Sequence, residues 1–313
     1  MRWFGFLGRS PRRREGVLVA LGGGGARGLA HVGVLEVLEE AGVPLAGIAG
    51  TSAGAVVGAM WLALGGGPAV VERWREFLAA RIVPELPDIR LTDTVSSRDN
   101  PLLQFARRIR NHAVVALALE RTSLVSHEQL ERALAFLLPD VSIESLGLPF
   151  VAVATDFRTG EPVPLRRGRL LAALAASCAI PAVVPPYPIG GAYLIDGGTV
   201  ADIPAAQARL LADRPVVAVD VGERWPEQDP ATITLPRALL RGANMTHRAL
   251  RERLQRDADL VLRPDVGAAH WSEFDRFEEL RAAGRTATRQ AVHTIRALSS
   301  RRRRHDVVPE EAL

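Results

Sequence analysis

The 313-residue sequence has a single cysteine, Cys178, and no lysine. One thiol excludes a disulfide scaffold and argues against a cysteine-based metal cluster. Without lysine, all the strongly basic side chains are arginines, which do not titrate near neutrality. The isoelectric point of about 10.3 therefore reports arginine usage, because the formal net charge is only +4. Long apolar runs are missing as well: none reaches the roughly 20 residues that cross a bilayer. The first residues, MRWFGFLGRSPRRRE, place an apolar patch ahead of an arginine cluster, the reverse of a secretory leader. What is present is ordinary globular composition, 48% hydrophobic and 24% charged. These features suit a cytoplasmic protein, and the length is enough for one large α/β domain or two small ones with a sizeable buried core. Residues 1–14 read as a flexible basic and aromatic segment, suited to peripheral contact at the inner membrane surface. Residues 300–313 read as a disordered tail.

Apolar periodicity organises the rest. Val17 to Leu21 reads as a buried strand and Leu45 to Ala49 as a second. Leu29, Val32, Val34, Leu35 and Leu38 have helical spacing, and Ala53 to Leu64 looks helical too. Residues 65–98 read as irregular, followed by helical patterns at about 99–119 and 126–137. A helical insertion at about 65–137 is thus expected within one domain spanning 15–299. FVAVATDF, AYLIDGG and RPVVAVDVG read as strands. Arg237–Arg256 and Ser272–Leu298 read as helices flanking a short LVLRP strand. The alternation implies a mainly parallel α/β sheet.

Three segments carry candidate chemistry. GTSAG, Gly50 to Gly54, fits G-x-S-x-G between a strand and a helix. A nucleophilic Ser52 at such a turn would face the positive end of the helix dipole. The same residues also suit a plain helix N-cap. The loop Gly23-Gly24-Gly25-Ala26-Arg27-Gly28 fits G-x-G-x-x-G. A dinucleotide site wants an acid near the end of the next strand, yet Glu39 and Glu40 precede that strand. No Gly-Lys-Ser/Thr follows, so a P-loop is excluded. Backbone amides converging on an oxyanion are the other reading, with Arg27 adding positive charge. The third segment is YLIDGG, where Asp196 ends a strand beside Gly197 and Gly198. It reads as an active-site acid or as an Asp-Gly turn. His247, His270 and His293 follow Asp196 in the order of a Ser–acid–His triad. His247 lies on an arginine-rich helix that reads as a solvated face. His31 reads as a packed or backbone-bonded residue.

GGGGARGLAHVGVLEVLEE, GTSAGAVVGAM and IDGG, in this order and spacing, resemble the patatin-like phospholipase family. VATDFRTGEPV and AASCAIPAVVPPY strengthen the resemblance, which covers residues 16–222 and looks most like bacterial single-domain members. The resemblance implies a three-layer α/β/α sandwich and a Ser–Asp dyad without histidine. Carried over, Ser52 is the nucleophile and Asp196 the general base. Gly23, Gly24 and Gly25 form the oxyanion hole, supported by Arg27, Gly28, Gly50, Gly54, Gly197 and Gly198. It implies hydrolysis of phospholipid or lysophospholipid esters with no metal or cofactor. Nucleic acid is not an expected partner, and oligomeric state is left open. The alternative is a nucleotide-binding or regulatory protein that uses the glycine loop without hydrolysis. Burial beside Leu194 and Ile195 should raise the Asp196 pKa. Asp156, also at a strand end, reads as loop-organising.

Overall fold

In the computed structural model the described residues are 15–80, 82, 123–222 and 235–300. Eight strands form one sheet: β1 (Val17–Leu21), β2 (Leu45–Thr51), β3 (Phe150–Asp156), β4 (Pro162–Leu165), β5 (Tyr187–Ile189), β6 (Ala192–Asp196), β7 (Val216–Val219) and β8 (Leu260–Leu262). Their order is β5-β6-β3-β2-β1-β7-β8, with β4 pairing β3 off this path. β1, β2, β3, β7 and β8 run parallel, whereas β4, β5 and β6 add antiparallel pairings at one side. The prolines around β4 and β5 hide their strand pattern, so neither is legible as a strand in the sequence.

The parallel strands are buried on both faces. Along β1, Val17, Val19 and Leu21 enter one apolar cluster, while Leu18 and Ala20 enter the other. The period of two in a continuous apolar run thus feeds two cores. Helices cover each face, giving the three-layer α/β/α sandwich. The first core is covered by α1 (Ala30–Glu40), α2 (Ala53–Leu64), α3 (Gly67–Ala79), α4 (His127–Leu137) and α5 (Leu170–Ser177), with α9 (Phe277–Ser299) outside α1. The second is covered by the short α6 (Gly198–Ala201) and α7 (Ala205–Ala208), with α8 (Leu235–Leu254) beside them.

Two expectations need correction. Residues 67–79 are helical rather than irregular: Pro68 occupies the first turn, where its missing N–H costs nothing. Val70, Val71, Trp74 and Phe77 then give α3 a buried face. The carboxyl-terminal helix starts at Phe277 rather than Ser272, after a 3-10 turn at Phe274–Arg276. It packs closely on α1 because Gly33 and Gly284 carry no side chains; a Cβ on Gly284 would lie 1.9 Å from the Ala30 carbonyl. Glu36 bridges both Arg281 and Arg285 across this contact. The expected helix at 99–119, the amino-terminal segment 1–14 and residues 301–313 of the tail lie outside the described residues.

Candidate active site

β2 ends at Thr51, and the chain turns sharply into α2 through Ser52 (φ 52°, ψ −124°). Positive φ is strained for a side chain with a Cβ, and such strain persists where surrounding packing enforces it. Here the enforcement is visible. A Cβ on Gly54 would stand 2.2 Å from the Leu21 carbonyl, and one on Gly50 would stand 2.4 Å from Ala55 backbone. Gly28 lets Ala53 approach in the same way. The Ser52 N–H donates to Ser177 Oγ at 2.9 Å, and Ser177 donates in turn to the Val153 carbonyl at 2.7 Å. The Ser52 side chain does not cap α2, and the Thr51 hydroxyl donates instead to the Ala201 carbonyl at 2.8 Å, so neither residue acts as a side-chain N-cap.

Sheet register brings Asp196 to the same place. Thr51 pairs with Val153, the last partner β2 makes on β3. One residue on, Ala154 pairs with Asp196 of the antiparallel β6. The Ser52 side chain lies close enough to the Asp196 carboxyl to lower its pKa, and the Gly198 N–H donates to Asp196 Oδ1 at 2.7 Å. Asp196 is buried. Burial pushes its pKa up to about 7, against the opposing pull of Ser52 and of the Gly198 hydrogen bond. Gly197 permits the turn to pass β3, since a Cβ there would meet the Val153 carbonyl at 2.2 Å. Cys178 also lies beside Ser52, but burial and the Asp196 charge push its thiol pKa upward. It stays protonated and is no rival nucleophile.

The glycine loop is tied down on several sides. His31 Nε2 donates to the Gly22 carbonyl at 2.8 Å. Ala26 N–H donates to the Trp271 carbonyl, while Arg27 reaches the carbonyls of Val221 and Ala269. Arg27 thus staples the loop to the segments after β7 and before α9. Gly25 has φ +57°, which suits glycine. The three expected oxyanion donors are not equivalent. The Gly23 N–H is spent on the Asp202 carbonyl at 3.0 Å, so the expectation that it donates to an oxyanion is corrected. Gly23 is needed instead for close approach: a Cβ there would lie 2.5 Å from Asp202 Oδ1. Among the described residues, no acceptor engages the N–H groups of Gly24 or Gly25.

An apolar cavity of about 190 Å³ opens beside Ser52 and Gly25. Its walls include Trp74 and Phe77 of α3, Leu134 of α4, and Phe274. Trp74 stacks on Phe274 with centroids 6.4 Å apart. The apolar residues of ALAFLLP suit either a packed core or a surface for acyl chains, and nothing local to HWSEF announces a role for its aromatics. They line the cavity because α3, α4 and the turn before α9 converge over α2. A larger open cleft of about 380 Å³ lies at Glu144, Arg166 and Arg167. It borders Phe150, at the opposite end of β3 from the serine turn, and offers no nucleophile.

Among the described residues, the histidines do not build a triad. His293 is exposed on α9, and His270 Nδ1 bonds Ser272 Oγ at 2.7 Å. Among the described residues no histidine hydrogen-bonds Ser52 or Asp196. His247 lies nearer than expected: its face of α8 is not simply solvated, and its Nε2 lies 2.9 Å from the Gly198 carbonyl. The solvated-face reading fails because Arg251, on the same side of α8, is buried in ion pairs with Asp202 and Asp220. Asp156 Oδ1 accepts the N–H groups of Arg158 and Thr159, which hold its carboxyl below the ordinary range and organise a turn. No cluster of three or more His, Cys, Asp or Glu suited to a metal occurs among the described residues.

The sequence profile described as "Patatin-like phospholipase" matches residues 19–209. The chain belongs to the patatin-like phospholipase family. An NTE family protein of Mycobacterium bovis is 35% identical over 222 residues, covering 70% of this chain and 52% of that protein. A second one from the same organism is 30% identical over 313 residues, covering 92% and 48%. Patatin-like phospholipase domain-containing protein 6 of Mus musculus is 31% identical over 210 residues, which are 66% of this chain and 14% of that protein. The chain therefore spans about half the length of the mycobacterial relatives. Among solved structures, VipD from Legionella pneumophila aligns with a TM-score of 0.49 at 16% identity, over 91% of this chain and 67% of that one. The glycine loop, the serine turn and the Asp196 strand all fall inside the patatin-like segment. Among the described residues, no helix is long and apolar enough to cross a membrane.

Proposed function

We propose that this protein is a serine acyl hydrolase cleaving carboxylic esters of phospholipids or lysophospholipids. The observation that carries the reading is a serine in a strained turn, beside a buried carboxyl and opening onto an apolar cavity. In the proposed reaction the Ser52 hydroxyl attacks the ester carbonyl carbon while Asp196 takes its proton. A carboxyl with a pKa near 7 is a far better base for this than one near 4. The carbonyl oxygen becomes an oxyanion, held by the Gly24 and Gly25 N–H groups and the amino end of α2. Collapse expels the alcohol, which takes the proton from Asp196 and leaves an acyl-serine. Water then attacks that ester, again giving its proton to Asp196; collapse frees the acid, and the departing Ser52 oxygen takes that proton back, restoring the hydroxyl and the carboxylate. The acyl chain occupies the apolar cavity.

Membership of the family supports lipid ester chemistry, and the apolar lining supports an acyl group over a nucleotide. Peripheral contact with a membrane surface belongs to the same proposal, because the substrates reside there. The deciding experiment is a panel of phospholipids, lysophospholipids and 4-nitrophenyl esters, assayed with wild type, Ser52→Ala and Asp196→Asn. Serine-dependent hydrolysis of any ester supports the reading. No hydrolysis and no fluorophosphonate labelling, with saturable nucleotide binding, favours the non-hydrolytic alternative.

A further inference from the structure

His247, Arg251 and Gln255 recur at four-residue intervals along α8 and the 3-10 turn that follows it. That spacing stacks them on one side of a helix. His247 reaches Gly198, Arg251 reaches Asp202 and Asp220, and Gln255 reaches Asp220. Because the Gly198 carbonyl can only accept, His247 Nε2 carries the proton and donates to it at 2.9 Å. The N–H of the same glycine donates to Asp196 Oδ1 at 2.7 Å. Gly198 is thus gripped on one side by α8 and grips the carboxyl on the other. Four residues further along α8, Arg251 Nε stands 3.1 Å from Asp202 Oδ2. The backbone carbonyl of Asp202 receives the Gly23 N–H. Arg251 also pairs with Asp220, whose other carboxyl oxygen accepts Gln255 Nε2 at 2.6 Å. Asp220 in turn accepts the Gly222 N–H at 2.8 Å, fixing the segment after β7 that receives Arg27.

We propose that His247 is a positioning residue for the Ser52–Asp196 pair, acting through Gly198, with Arg251 and Gln255 anchoring the helix that carries it. The proposal rests on the serine hydrolase reading above and adds a residue outside the segment matched to the family. His247 touches neither reacting group, so it does not complete a triad. Its effect is to set where the Asp196 carboxyl lies relative to the Ser52 hydroxyl. Proton transfer is sensitive to such placement, and misplacement by about 1 Å costs on the order of a hundredfold in rate. Arg251 is too buried to test cleanly, since its loss strands two carboxylates. His247 is different: its side chain is 37% exposed, so its removal leaves the core intact.

The test compares His247→Leu and His247→Gln with wild type on 4-nitrophenyl butyrate, with Ser52→Ala as control and thermal melts of each. Leucine removes the donor; glutamine keeps an N–H able to reach the carbonyl. The expected result for His247→Leu is a kcat lowered about tenfold or more, with KM within about twofold. His247→Gln should return to within about threefold of wild-type kcat, and both should melt close to wild type. An unchanged kcat in His247→Leu overturns the proposal, as does a change confined to KM or a glutamine variant as impaired as leucine. Should His247→Leu fail to fold, His247→Glu takes its place: it can only accept, so wild-type kcat in that variant is equally fatal. If wild type has no activity, or keeps it in Ser52→Ala, the parent reading falls and this one with it. Serine-dependent activity with an indifferent His247 overturns this proposal alone.

Discussion

Asp196 meets Ser52 because β6 begins to pair with β3 at the residue after β2 stops. Thr51 faces Val153, and Asp196 faces Ala154. The first residue beyond β2 and the last residue of β6 are thereby brought together at one edge of the sheet. The antiparallel β6 runs back from beyond the end of β2 and stops at that point. Mechanism and stability can both be tested from this relationship.

Ser52→Ala and Asp196→Asn should each lower kcat by about a thousandfold or more, as loss of a nucleophile or its base does in other serine hydrolases. Far-ultraviolet circular dichroism should remain that of wild type, because both replacements nearly conserve volume. Fluorophosphonate labelling should vanish in Ser52→Ala and slow in Asp196→Asn. Retention of most activity by either variant removes the dyad.

The raised carboxyl has a pH signature. Asp196 must be ionised to act as base, and its pKa is pushed up to about 7. A plot of log kcat/KM against pH should climb about one unit per pH unit below 7 and level off above it. The same shift opposes folding: the native state favours the protonated carboxyl, so stability is lost as pH rises from about 4 toward 7. Asp196→Asn should therefore melt above wild type at pH 8, by about 2–4 °C per kcal/mol relieved. A melting point unchanged between the two at pH 8 contradicts that account.

His31 predicts an acid limit from the opposite shift. Its ring is fully buried, and burial lowers its pKa from 6.5 to about 4. An unfolded chain binds a proton there below about pH 6.5, whereas the native ring stays neutral until near pH 4. The neutral native ring keeps its full stability above pH 6.5 and loses it as pH falls toward 4, by roughly 3 kcal/mol in the limit. Urea midpoints measured from pH 7 to pH 4.5 should fall less steeply in His31→Gln than in wild type. Equal slopes would dismiss His31 as the source.

Gly24→Ala probes the oxyanion assignment. A Cβ at Gly24 would lie 2.8 Å from Val221 Cγ2, so the loop must shift by a few tenths of an ångström. Moving a preorganised donor by that much should lower kcat by about ten- to a hundredfold while KM changes little. Gly25→Ala is a poorer probe, because it combines positive φ with a clash against Trp271 backbone. A Gly24→Ala enzyme altered mainly in KM would place the donors elsewhere.

Filling the cavity tests what occupies it. Ala133 and Val57 both line it. Ala133→Phe should reduce kcat/KM for 4-nitrophenyl decanoate by about tenfold or more, while butyrate hydrolysis changes less than about threefold. Apolar burial is worth about 0.8 kcal/mol per methylene, so the effect should grow with chain length until the shortened cavity is full. Equal losses on both esters would show that the chain lies outside.

Much of the site was legible along the chain. The serine turn, the four-glycine loop and the Asp-Gly-Gly strand end each depend on backbone shapes that nearby residues dictate. Leu18 and Val19 alternate between two cores because strand geometry has a period of two. Less legible were contributions that depend on contact with distant segments. Helix α3 was obscured by the glycines and proline that begin it. The aromatics Trp271 and Phe274 acquired their place only when α9 packed on α1 through Gly33 and Gly284. His247 and Arg251 looked like part of a solvated arginine-rich face, because nothing local to α8 announces Gly198, Asp202 or Asp220 as partners.

The sequence by itself determined a serine between glycines at a strand-to-helix turn, a four-glycine loop after a strand, and the strand that ends in Asp196. These follow from steric limits on φ and ψ and from the spacing of apolar residues, which act over a few positions. Tertiary structure alone decided which amide of the loop is free, since Gly23 is claimed by Asp202. It also decided that the Asp196 carboxyl is buried with its pKa pushed up to about 7, because desolvation depends on whatever part of the chain covers it.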